Sequence, residues 1–374
     1  MEHKYRILHV VGARPNFMKA APIVNSLARK ADIFDQIVVH TGQHYDATMS
    51  EIFFRELSLP RPDVNLEVGS GTHSQQTAQI MLRFEPVLLD YKPDYVLVPG
   101  DVNSTIACAL VAAKLGFRIG HVEAGLRSFD RSMPEEINRV LTDHLCDLLF
   151  TPSVDGDENL LREGIAPERI HLVGNIMIDS LVEMLPKAEG RWSGLCGRWG
   201  LADGFVLVTL HRPSNVDHAA TLGEILRALN TLAAAPRKIL FPVHPRTRQR
   251  IEAEGFFRDA APNVVLTEPL GYLDFLALEK HAALVITDSG GVQEETTFLG
   301  VPCLTARPNT ERPVTITGGS NTLVAGKADD IVTAAAKKLH ASPGPRQIPT
   351  LWDGKTAGRI VAVLQQSLAG GCAT

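Results

Sequence analysis

The sequence predicts an α/β protein of two doubly wound parallel-sheet domains facing one another across a cleft. Three observations predict it. The chain has 374 residues, more than one hydrophobic core usually supports. Short β-branched runs alternate with helical stretches along its length. The conspicuous polar residues fall at the carboxyl ends of those runs, where open α/β sheets bind ligands.

The first series of runs is "RILHVVG" (6–12), "DQIVVHTG" (35–42), "DYVLVPGD" (94–101), "RIGHVEA" (118–124), "DLLFTPS" (147–153) and "RIHLVGN" (169–175). A second series follows: "FVLVTLHR" (205–212), "KILFPVHP" (238–245), "NVVLTEP" (263–269), "ALVITDSGG" (283–291), "VPCLTAR" (301–307) and "NTLVAG" (321–326). All are apolar almost throughout, as strands covered on both faces must be. Between the series, 186–204 is rich in glycine and breaks the alternation, which predicts a first domain over 1–185 and a second over 186–355. The tail brings Ile360, Val363, Leu364 and Leu368 to helical spacing, so 356–374 is expected to supply a closing helix.

Composition excludes several classes. With 45% hydrophobic and 21% charged residues and a formal net charge of -5, the chain has no dense Lys/Arg run to track a nucleic acid. Residues 1–15 carry neither the apolar core nor the cleavage site of a secretory signal, and no apolar run approaches the ~18 residues of a membrane span. A cytoplasmic protein is expected. Cysteines 108, 146, 196, 303 and 372 form no C-x-x-C pair, which argues against a disulfide framework or a thiolate zinc site. His40 and His44, like His211 and His244, lack ligand spacing, so no metal is expected.

Three stretches carry chemistry. In "GARPNFMKAAP" (12–22) Pro15 suits a first helical turn, yet Arg14 and Lys19 put cations near a terminus whose dipole is already positive. A bound anion would remove that conflict; a solvated basic turn is the plainer alternative. In "TDSGGVQEE" (287–295) Ser-Gly-Gly leads into a helix, so backbone N–H groups could approach a phosphate while Glu294 or Glu295 accepts ribose hydroxyls. A simple strand-to-helix turn is the alternative, but the carboxylates behind the loop favour a nucleotide.

The third stretch is "HVEAGLRSFDRSMPEEINR" (121–139). Pro134 with Glu135 and Glu136 makes a good helix start, and Ile137, Val140, Leu141, Leu145 and Leu148 are expected to form that helix's apolar face. Glu136 is expected only to complement the dipole. Glu123 ends a buried strand, where an unpaired carboxylate is costly; it is either an acid/base or the partner of Arg127 or Arg139. Gln43 and His44, His244 and Arg246, and Asp288 complete the polar strand ends.

Taken in order, "GARPNFMKAAP", "TGQH", "PGDVNST", "HVEAGLRS", "PEEINR", "HR" (211–212), "DSGGVQEE", "ERP" (311–313) and "DGKTAGRI" resemble the non-hydrolysing UDP-N-acetylglucosamine 2-epimerases over nearly the whole chain. The resemblance implies a glycosyltransferase-B-like architecture, a homodimer, and a last helix packing back on the first domain. It implies interconversion of UDP-N-acetylglucosamine and UDP-N-acetylmannosamine without NAD or an essential metal. By position, the family's acid/base carboxylates fall on Asp101, Glu123 and Glu135 and its histidine on His211. Its nucleotide and phosphate contacts fall on Arg14, Lys19, Phe275, Ser289, Gly290, Gly291, Glu295 and Arg312. The chain departs from the usual pattern at "GQHYD" (42–46), at Gln79 in place of an arginine of the family's allosteric site, at "HRPSN" (211–215) and at Leu270. Allosteric activation is therefore not expected. A diacetamido-uronic form of the sugar, or a sugar transferase of the same architecture, stays open.

Overall fold

The apolar runs form two separate parallel sheets. In the computed structural model the described residues are 4–42, 59–201, 204–233, 237–255, 261–341 and 347–370, with Arg14 described in its backbone alone. The Arg14 side chain, Gln43, His44 and Cys372 lie outside the described residues.

The first sheet comprises β1 (Tyr5–Val11), β2 (Phe34–His40), β3 (Val64–Asn65), β4 (Tyr95–Pro99), β5 (Arg118–Val122), β6 (Leu148–Thr151) and β7 (Ile170–Leu172). Its order is β3-β2-β1-β4-β5-β6-β7. All six predicted runs are present; the two-residue edge strand β3 is the addition. Crossovers are made by α1 (Arg14–Ala28), α2 (His73–Tyr91), α3 (Asn103–Lys114), α4 (Pro134–Leu145) and α5 (Val154–Arg162). Then α6 (Ile176–Glu189) and α7 (Trp192–Trp199) occupy most of the glycine-rich stretch.

The second sheet comprises β8 (Val206–Thr209), β9 (Ile239–Pro242), β10 (Val264–Thr267), β11 (Leu284–Thr287), β12 (Cys303–Ala306) and β13 (Asn321–Val324), in order β10-β9-β8-β11-β12-β13. Its helices are α8 (Pro213–Val216), α9 (Ala219–Ala233), α10 (Pro245–Ala253), α11 (Tyr272–His281), α12 (Gly290–Leu299), α13 (Val314–Thr317) and α14 (Ala328–His340), and α15 (Thr356–Gly370) is the last described element. Every strand pair in both sheets is parallel. This is the glycosyltransferase-B-like plan of two α/β sheets.

One compact unit runs to Ser180 and resumes at Thr350; the other is Leu181–Pro349. In the first, α15 buries Ile360, Val361, Leu364 and Leu368 in one cluster with Ile23 and Leu27 of α1 and Tyr95 and Leu97 of β4. Asp179 receives the Thr356 and Ala357 N–H groups at 3.0 and 2.8 Å, which satisfies two orphan donors at the start of α15. Among the described residues no helix is long and apolar enough to cross a membrane.

One expectation fails at α4. Its buried residues are Glu136, Arg139, Thr142 and Asp143, whereas Ile137 and Leu141 are 43% and 50% exposed, and Leu148 belongs to β6. The helix is amphipathic as predicted but turned over. Ion pairs at its inner face fix this orientation, as the site shows.

Candidate active site

In a doubly wound sheet the ligand crevice opens where the strand order reverses. That point is β1/β4 in the first unit and β8/β11 in the second. The residues singled out from the sequence collect at these two places.

In the first unit, Pro99 of β4 is in register with Val122 of β5, so Asp101 and Glu123 follow the ends of adjacent strands. Lys19, on the helix after β1, forms a buried ion pair with Glu123, their side chains 8% and 3% exposed. Thus Lys19 is a partner of Glu123, while Arg127 is held by Asp143 and Glu163 and Arg139 by Asp101 and Glu136. Gly100 has φ +70°, and a Cβ there would sit 2.8 Å from Lys19 Nζ. Only glycine both turns the chain and leaves room for the pair. Glu123 itself has φ +76°, a left-handed conformation costing on the order of 1–3 kcal/mol.

The surrounding bonds hold that strain. Glu123 N and Ala124 N both donate to Phe150 O, at 3.1 and 3.0 Å. Gly125 N donates to Asp143 Oδ2 at 3.1 Å. Asp143, fully buried, also meets His121 Nδ1 at 2.6 Å and Arg127 Nη1 at 2.7 Å, and His121 Nε2 faces Gly100 O at 2.8 Å. Burial pushes the Asp143 carboxyl upward, but His121 and Arg127 outweigh it and hold the group below its ordinary value. Arg127 continues to Glu163 through two bonds of 2.8 and 2.7 Å.

Arg139 holds Asp101 through Nε at 3.0 Å and Nη2 at 2.7 Å, and Glu136 through Nη1 at 2.7 Å. Glu136 in turn accepts the Ser128 and Phe129 N–H groups at 2.9 and 2.7 Å, so it ties down the loop before its own helix. Asp101 and Glu135 line one cavity of about 420 Å³ together with His73, Gln76, Asn103 and Asn138. Much of the charge in 121–139 is therefore scaffolding, which holds Asp101 through Arg139 and the chain after Glu123 through Asp143 and Glu136.

In the second unit, Asp288 is completely buried and organises the end of β8. It accepts His211 N at 3.1 Å, Arg212 N at 3.0 Å and Asn215 Nδ2 at 2.9 Å, and it faces His211 Nδ1 at 3.0 Å. Burial works to raise this carboxyl, and the bonds from His211, Asn215 and Arg212 bring it below its ordinary value. With Nδ1–H directed at Asp288, Nε2 of the 60% exposed His211 side chain is the nitrogen able to meet a substrate.

Ser289 is the N-cap of α12, which presents the amide groups of Gly290 and Gly291 at a positive helix end. A Cβ on Gly290 would lie 2.5 Å from Arg312 Nη1, so glycine lets the guanidinium reach this terminus. Arg312 is held by Glu294 through Nε at 2.6 Å and by Glu311 through Nη1, and Arg307 braces Glu311 at 2.6 Å. Glu295 accepts the Tyr272 hydroxyl at 2.8 Å. Phe275, one turn along α11, is half-buried.

Sequence reasoning named Arg139, Asp288 and, within "ERP", Glu311, but not the roles in which they act through others: Arg139 behind Asp101, Asp288 behind His211 and Glu311 behind Arg312; it missed Tyr272 behind Glu295 altogether. Asp288 and Glu311 stand inside the quoted motifs "DSGGVQEE" and "ERP", and that placement was the available signal. Tyr272 gave none, and Arg139 was weighed only as a partner of Glu123, since the role of each depends on which helix face turns inward. Among the described residues no group of three or more His, Cys, Asp or Glu is placed to hold a metal ion.

Residues 26–365 match the family described as UDP-N-acetylglucosamine 2-epimerase. The UDP-N-acetylglucosamine 2-epimerase of Methanocaldococcus jannaschii is 44% identical over 360 residues, 95% of this chain and 97% of that one. The UDP-2,3-diacetamido-2,3-dideoxy-D-glucuronate 2-epimerase of Pseudomonas aeruginosa is likewise 44% identical, over 89% of this chain and 92% of that one. The crystal structure of the Methanocaldococcus jannaschii epimerase in complex with UDP-GlcNAc and UDP superposes with a TM-score of 0.87 at 42% identity, covering 96% of this chain and 99% of that one.

Proposed function

The chain belongs to the UDP-N-acetylglucosamine 2-epimerase family, and from that premise we propose that it interconverts UDP-N-acetylglucosamine and UDP-N-acetylmannosamine by inverting C2. No carbonyl neighbours C2 of the sugar, so direct loss of its proton is prohibitively slow. Breaking the anomeric C1–O bond first makes C1 electron-poor and the C2 proton acidic. UDP leaves with the C1–O electron pair, the C2–H pair becomes the second bond of a C1=C2 glycal, and a base keeps the proton. Re-addition of UDP at C1 with protonation of C2 on the opposite face completes the inversion. The sequence is redox-neutral, and this reading takes neither NAD nor a metal.

In this reading the α12 N-terminus at Ser289, Gly290 and Gly291, with Arg312, takes the negative charge of the departing diphosphate, and Arg14 and Lys19 are the anion contacts of the first unit. Glu295 receives the ribose hydroxyls, Phe275 contacts the nucleotide, and His211 meets the leaving group. Asp101, Glu123 and Glu135 move the C2 proton. Removal on one face and delivery on the other require groups in unlike environments. The observation carrying the proposal is that these carboxylates differ in that way: Asp101 faces a guanidinium, Glu123 an ammonium, and Glu135 lines the cavity it shares with Asp101.

The relative acting on the diacetamido-glucuronate nucleotide has the same identity as the N-acetylglucosamine relative, so that sugar is the second reading. The test is incubation of each nucleotide in deuterated water without any acceptor. Deuterium at C2 and a mixture of two epimers are expected with UDP-N-acetylglucosamine, and Glu135→Gln should abolish both while retaining UDP binding. Turnover of only the uronate would transfer the assignment to the second reading. Exchange with neither sugar would overturn both. We also propose a homodimer, on the apolar surface that α4 turns outward.

A further inference from the structure

The mechanism leaves one buried acid unused. Glu279 lies on α11, is 0% exposed, and faces the Glu295 carboxyl of α12. Neither of its oxygens meets a hydrogen-bond donor among the described residues. The remaining titratable neighbours are the Cys303 thiol of β12, which burial pushes up to about 12, and Tyr272, which donates to Glu295 from the same helix at 2.8 Å. Lys338 of α14 faces that thiol and bonds Ser320 O at 2.9 Å. A second carboxylate against Glu295 in a closed apolar setting cannot also ionise. Burial first, then the Glu295 charge, drives Glu279 well above the ordinary carboxyl range.

We propose that Glu279 is a positioning residue: as the neutral acid it donates its O–H to Glu295 and, with the Tyr272 hydroxyl, fixes that carboxylate in the orientation that receives the ribose hydroxyls. The inference rests on the assignment of Glu295 to ribose. Two donors from α11, a phenol and a carboxylic acid seven residues apart, converge on one acceptor. Glu295 thereby keeps a single negative charge and a single rotamer, while no second negative charge is added near the diphosphate. A lysine or arginine in place of Glu279 would hold Glu295 too, but as an ion pair that competes with the ribose hydroxyls for its lone pairs.

The full chain carrying Glu279→Gln or Glu279→Met tests this, with titration of UDP and of 2′,3′-dideoxy-UDP and with steady-state kinetics. Gln keeps an N–H donor and Met keeps the volume without one. Wild type is expected to prefer UDP over the dideoxy analogue. Glu279→Met should lose about tenfold in UDP affinity and raise KM with kcat nearly unchanged, while its affinity for the analogue stays the same. Glu279→Gln should remain within about threefold of wild type, and a thermal midpoint near wild type for both variants verifies the fold. Wild type without preference between the two nucleotides would overturn the ribose assignment. A wild-type preference that Glu279→Met leaves intact would overturn the positioning role alone. Equal losses in both variants would overturn the O–H donation.

Discussion

At the scale of single residues, the site is built from groups that act and groups that aim them. Asp288 shows the second kind most directly, because one buried carboxylate collects two backbone amides, an asparagine and the His211 ring. Asp288→Asn keeps the shape but offers one acceptor oxygen and one amide donor, so the imidazole loses the partner that fixes its tautomer. The expected result is a fall in kcat of about 100-fold or more with UDP affinity within a few-fold, measured by kinetics and calorimetry. The same residue sets a pH dependence. Its carboxyl lies below the ordinary value of 3.8 in the folded protein, so the unfolded chain binds the proton more readily. Its stabilisation is therefore complete above about pH 4 and is lost as pH falls through the depressed value. Asp288→Asn should flatten the acid limb of the thermal midpoint against pH; an unchanged limb would remove Asp288 from the account.

At the scale of elements, the strands were legible because burial on both faces leaves no alternative to a continuous apolar run, and each of the twelve runs quoted from the sequence contains a strand. The edge strand β3 escaped notice because two residues, Val64 and Asn65, carry no pattern. Residues ending the strands were legible for the same reason in reverse, since polar groups after apolar runs stand out. Helix faces were harder. In α4 Leu145 packs against the core as expected, but Ile137 and Leu141 face outward, because Glu136, Arg139 and Asp143 find buried ionic partners that a sequence cannot display. Helix termini fall between: "SGG" reads as a phosphate-type turn, but the need for glycine at 290 comes from Arg312, distant in sequence. Gly290→Ala places its Cβ against that guanidinium and should weaken UDP binding by tenfold or more, an order-of-magnitude expectation for losing one charge-assisted contact. The measurement is a UDP titration, and wild-type affinity would mean that Arg312 does not serve this terminus.

At the scale of the whole molecule, the inverted helix becomes an argument about assembly. Soluble monomers seldom expose contiguous apolar area beyond a few hundred Å². Here α4 presents Ile137 and Leu141, and α2, which packs on the other side of α3, presents Leu82 and Leu89. These side chains are 43–65% exposed, and burying a leucine or isoleucine contributes about 1.5–3 kcal/mol. Four of them in each of two symmetric copies would contribute toward offsetting the entropy of association in the proposed homodimer. The ionic network that turns α4 over would then serve two ends: it aims Asp101 from the inner face and offers the apolar stripe to a second chain on the outer one. The double variant Ile137→Glu/Leu141→Glu changes only exposed positions, so its fold should persist. Light scattering after size exclusion is expected to give a mass of twice 40.7 kDa for wild type and a single chain for the variant. A monomeric wild type, or a variant that stays dimeric, would remove this face from the assembly and leave the exposed stripe without a role.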